Sequence, residues 1–159
     1  MTEYSLEFSE KLTEAAQFVV DDGPDSLDAK RTALYLSQLS CEISLKALLE
    51  RAGVPVAKIK KRWHNLSELL QDLCACKVEE QIGNELRWIP ATSIRAQTVD
   101  ERFMNTVGSI LEVEAQGASK YPNEVRYGYS LNQYPPELWL KTAKTIIVWA
   151  RKRWDSIRA

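Results

Sequence analysis

The sequence predicts an all-α protein, an antiparallel up-and-down bundle of four to five main helices, and three observations carry that expectation. Apolar residues recur at three-to-four spacing over long stretches, Gly and Pro punctuate those stretches at their ends, and no run stands out with the alternation of a half-buried strand. A chain of 159 residues fits one domain, 1–159, with enough material to bury a core without disulfides or a structural metal.

The first helix is read from Phe8, Leu12, Ala15, Ala16 and Val19, and it stops at Gly23-Pro24. Asp25 or Ser26 can cap the second, whose periodicity runs to Ala52: about 27 residues, or roughly 40 Å. Gly53, Val54 and Pro55 mark its end, with Gly53 suited to a left-handed cap and Val54 to a contact back on Leu49. Leu34, Cys41, Leu45, Leu48 and Leu49 line one side while Leu36, Leu39, Ile43 and Ala47 cover another, as expected of a helix central to a bundle. Asn65 and Glu68 form a box-like cap ahead of Leu66, Leu69, Leu70 and Leu73. Between 78 and 116, Gly83 and Pro90 interrupt the pattern, and one broken and one regular helix are expected there. Residues 117–135 read as a loop by composition. From Pro136, the positions Leu140, Ala143, Ile147, Ala150, Trp154 and Ile157 form the stripe of a last helix.

Hydrophobic residues make up 45% of the chain and charged residues 27%, close to globular averages. Three cysteines and an N-terminus without a basic and apolar leader point to the cytoplasm. Apolar runs are too short for a membrane span, so no membrane partner is expected. The net charge of −1 conceals a polarity: acidic side chains crowd residues 1–28 and basic ones crowd 138–159. Those two segments should attract each other as faces of the first and last helices.

Chemistry-bearing motifs are few. Cys74 and Cys76 with a single histidine are too thin for a zinc or iron site, and no metal or other cofactor is expected. Two residues apart on a helix, the two thiols diverge, one buried and one partly exposed. Glycine-rich phosphate loops are absent. The carboxylate pairs Glu79-Glu80, Asp21-Asp22 and Asp100-Glu101 read as solvated. Trp63, between Arg62 and His64, is the one tryptophan placed for something other than packing.

Glu42 and Lys46 stand four residues apart, in acid-then-base order, on the most apolar helix. Buried charge requires a partner, and the candidates to extend this pair are Arg126 and the region around His64. His64 follows Lys58, Lys60, Lys61 and Arg62 and precedes a helix start. The macrodipole and these cations lead us to expect a neutral ring near pH 7.

These residues carry a resemblance. "LSQLSCEISLKALLERAG", "WHNLSELL" and "YPNEVRYGYS" ahead of a last long helix resemble the HEPN family of small helical-bundle domains, over about 1–78 and 117–157. Its marks are Glu42, Leu45, Lys46 and Ala47, then His64, then Arg126-Tyr127. The resemblance implies a bundle that often dimerises, sometimes beside a minimal nucleotidyltransferase in toxin-antitoxin or phage-defence loci. Many members are metal-independent ribonucleases through Arg followed after four to six residues by His. Here Leu131, Asn132 and Gln133 stand at those distances from Arg126, and none is a general base at neutral pH. The expectation is therefore a non-catalytic module binding a nucleotide, RNA or a protein partner, such as a nucleotidyltransferase or antitoxin. Its ligand site would comprise Glu42, Lys46, Lys60, Lys61, Arg62, His64, Arg126 and Tyr127. The alternatives are a ribonuclease with a rearranged His64 and Arg126 site, and a homodimer serving assembly alone.

Overall fold

A computed structural model describes residues 2–112, 121–122 and 135–159. Helix α1 (Leu6–Asp22) is capped by Ser5, whose hydroxyl accepts from the Phe8 amide, and α2 (Leu27–Arg51) by Ser26, which accepts from Ala29. These caps satisfy amides that the helix geometry leaves unpaired. Helix α2 ends as its sequence indicates: Gly53 takes φ +94°, its amide donates to the Glu50 carbonyl, and the Val54 amide donates to the Leu49 carbonyl at 3.0 Å. A single turn, α3 (Val56–Lys60), follows, then α4 (Leu66–Ala75), capped by the Asn65 side chain on the Glu68 amide at 3.0 Å.

The all-α expectation is corrected between α4 and the last helix. Strands β1 (Lys77–Ile82) and β2 (Glu85–Pro90) form an antiparallel hairpin, and β3 (Thr98–Asp100) with β4 (Asn105–Thr106) forms a second small sheet. The expected broken helix is this hairpin together with a 3₁₀ turn at Thr92–Ile94; the expected regular helix is present, among the described residues, as α5 (Val107–Glu112). The physical reason lies in Gly83-Asn84. Gly83 at φ +62° closes a two-residue turn that pairs Ile82 with Glu85 and, further along, Val78 with Ile89. The last helix, α6, spans Pro136–Arg153, shorter than its apolar stripe implied. Ile157 instead enters β5 (Ile157–Arg158), which pairs with the opposite edge of β1 to give the strand order β2-β1-β5.

Helix α2 is the centre of the molecule. It packs against α1, α4 and α6, and Leu34, Cys41, Leu45, Leu48 and Leu49 have no exposed surface. The seam with α1 is close enough for the Ser40 hydroxyl to donate to the Ser9 carbonyl at 2.8 Å. Trp139 and Trp149 of α6 are buried, whereas Trp63 is 74% exposed. The charge polarity of the chain closes on itself, with Arg151 of α6 forked onto Glu10 of α1 at 2.6 and 2.9 Å. Among the described residues no helix is long and apolar enough to cross a membrane.

Gly53 has open space where a Cβ would stand, so its value lies in the left-handed backbone alone. Gly53→Ala is expected to lower unfolding free energy by about 1 kcal/mol, read as a lower urea midpoint at unchanged slope.

Candidate functional site

The chemistry gathers where α2, the α3–α4 loop and Tyr121 meet. Glu42 is 3% exposed, and three side chains converge on its carboxylate. Lys46, one turn on, donates from Nζ at 2.7 Å; His64 places Nδ1 at 3.0 Å; and the Tyr121 hydroxyl donates to Oε2. Lys46 is itself buried, with the Tyr4 ring 5.5 Å from its ammonium. Tyr35 packs on Tyr121 at a ring separation of 6.1 Å, and the His64 ring meets Tyr121 edge-on at 6.0 Å. A carboxylate removed from water needs this many donors, because partial compensation leaves the cost of desolvation standing. Burial, and then the negative charge of Glu42, push the Tyr121 phenol far above its ordinary value of 10.0, so it stays a donor.

This arrangement fixes the histidine. With Nδ1–H donating to Glu42, Nε2 is the ring nitrogen left for solvent, and it has no hydrogen-bond partner among the described residues. His64 is half exposed and lines a shallow depression of about 320 Å³ with Lys61, Arg62, Trp63, Asn65, Glu68 and Tyr121.

The loop that carries His64 is held rigidly. Backbone amides of Arg62, Trp63 and Asn65 donate to the carbonyls of Ile59, Lys60 and Arg62 at 2.9–3.1 Å. Arg62 grips Asp72 of α4 through two bonds of 2.7 and 2.9 Å and reaches Glu68 at 3.4 Å. Trp63 sits at φ +50°, a left-handed conformation that costs a bulky residue about 1–2 kcal/mol. That strain serves no burial, since the indole stands in solvent.

The expected ligand residues therefore divide. Glu42, Lys46 and His64 come together, while Lys60 is paired with Glu3 at 2.7 Å and Arg62 with Asp72 and Glu68. Lys61 is exposed without an ion-pair partner among the described residues. Arg126 and Tyr127 lie outside the described residues. Tyr121 and Asp72 were missed; Tyr121 stands in a stretch that reads only as loop, and no spacing rule ties it to Glu42. Cys76 is buried and Cys74 partly so, but they sit at and just beyond the end of α4. Among the described residues no cluster of three or more His, Cys, Asp or Glu side chains is placed to hold a metal ion. No protein-family model, curated protein or solved structure matches this chain.

Removing Glu42 leaves the Lys46 charge buried without its carboxylate and takes away the acceptor of the Tyr121 hydroxyl. Glu42→Ala is expected to cost about 3–5 kcal/mol, or to prevent folding, whereas His64→Ala, at the solvent end of the cluster where water can take the donor's place, is expected to cost about 1 kcal/mol.

Because Tyr121 is raised in the folded state, its contribution to stability is complete below pH 10, where the phenol is protonated folded or unfolded. That contribution is lost as pH rises above the unfolded value. Tyrosinate absorbance on alkaline titration should show one phenol ionising only with unfolding, and Tyr121→Phe should delete that step.

Proposed function

We propose that the depression beside His64 binds a ligand carrying both a phosphate and a base, a nucleotide or a single-stranded RNA segment. The observation that supports this reading is the trio on one rigid loop: an uncommitted cation at Lys61, an exposed indole at Trp63 and an outward Nε2 at His64. A cation and an imidazole suit phosphate oxygens, and an exposed aromatic face suits a base irrespective of its identity. Strain accepted to expose a tryptophan is hard to account for by folding alone. The reading also agrees with the resemblance to HEPN modules, and it makes Glu42, Lys46 and Tyr121 supports rather than ligand contacts. Glu42 orients the imidazole; Lys46 and Tyr121 hold Glu42.

One observation favours a second reading, cleavage of RNA. A buried carboxylate on Nδ1 with Nε2 free is the arrangement a general base uses. His64 would take the proton of a 2′-hydroxyl as that oxygen attacks the adjacent phosphorus and the 5′ oxygen departs with a proton from water. Products would then form in EDTA and disappear with His64→Ala.

The binding reading is tested with a fluorescein-labelled oligouridine and with ATP, by anisotropy at low and moderate salt. Lys61→Ala and Trp63→Ala are each expected to weaken binding about tenfold, Lys61→Ala also flattening the salt dependence. Wild-type protein that binds neither probe at low salt, or variants that bind as wild type, would overturn it.

A further inference from the structure

We propose that strand β2 is a self-pairing edge through which two copies of this chain join their hairpins into one continuous antiparallel sheet. This inference stands apart from the ligand reading, on a different face and different residues.

Strand order β2-β1-β5 leaves β2 at the border of the sheet. The direction of its backbone groups follows from β1. The Glu79 amide donates to the Ser156 carbonyl on the β5 side, so Val78, Glu80 and Ile82 direct their backbone groups toward β2. Their partners Ile89, Arg87 and Glu85 point back. Leu86 and Trp88 consequently aim their N–H and C=O groups at the open edge. Proteins normally shield such an edge; here no described element pairs with it, and Leu86 is 64% exposed.

The sequence of the edge is complementary to itself in one register only. Two antiparallel copies can meet about a two-fold axis at Leu86. Leu86 then faces its own copy as a hydrogen-bonded pair, and Glu85 faces the other chain's Arg87 in the closer, non-bonded pair, twice. An axis at Glu85 or at Arg87 would set like charges directly opposite each other. An axis at Trp88 would put Pro90 in a bonding position where it has no N–H to give. The pairing at Leu86 also sets the two leucines side by side, with each Trp88 on the same face diagonal to the other chain's Leu86. Each indole there is already backed by Arg158, whose guanidinium lies 4.0 Å from the ring centroid. Within one chain Glu85 and Arg87 satisfy each other at 2.8 Å, both largely exposed to water; the pairing exchanges that contact for one between chains.

Sedimentation equilibrium of the full chain up to about 100 µM tests the inference. Wild type is expected to dimerise, and Arg87→Glu alone and Glu85→Arg alone are each expected to weaken the dimer about tenfold or more, because each sets like charges opposite. Mixing the two single variants should restore dimerisation as a heterodimer, which a merely damaged hairpin could not do. Wild type that stays monomeric throughout, or a dimer that neither charge reversal weakens, or single variants that fail to recover on mixing, would overturn the proposal. An extended segment of another protein as the natural occupant of the edge corresponds to the first of those outcomes.

Discussion

The Glu42 carboxylate is the constraint from which the polar half of this molecule follows. It lies on the most buried helix, where an unpaired negative charge would cost more than the whole protein's margin of stability can absorb. Three donors from three parts of the chain are therefore drawn to it: Lys46 from the next turn, His64 from the loop before α4, and Tyr121 from beyond α5. A charge placed in the interior thus acts as a positional instruction. It specifies where the α3–α4 loop must dock and which nitrogen of the only histidine faces outward.

The rest of the loop obeys the same logic at lower cost. Arg62 is paired with Asp72 and Lys60 with Glu3, so a run that looks like one basic patch is partitioned into two ion-paired cations and two, Lys58 and Lys61, without an ion-pair partner among the described residues. Proximity in sequence does not distinguish these roles. Only the neighbours across the fold do, and Asp72, one helix further on, is the residue that decides Arg62's.

The helical scaffold was legible because its signals are local. Ser26, Asn65 and the Gly53-Val54 pair each cap within a few residues, and the caps form as those spacings indicate. The approach of His64 to Glu42 was anticipated as one of two possible extensions of the Glu42–Lys46 pair, since a buried ion pair on an apolar helix asks for more partners. The strands were not anticipated. Glu79, Glu80, Gln81 and Arg87 are ordinary helix formers, and their alternation with Val78, Ile82 and Ile89 is diluted by charge. Gly83-Asn84 was read as a break in a helix when it was the turn of a hairpin. Ile157 fitted the period of the last helix equally well, and only pairing with Val78, distant in sequence, draws it into a sheet.

Strand β5 has a bearing on how far this protein can associate. It covers the second border of β1 with two residues, and the Ala159 amide beside it is tied to the Ala52 carbonyl at 2.7 Å. A sheet with one long border and one stub has nowhere to extend after its long border is used. A contact made through β2 about a two-fold axis uses the same border of both copies and is closed in itself, leaving only the short β5 borders facing outward.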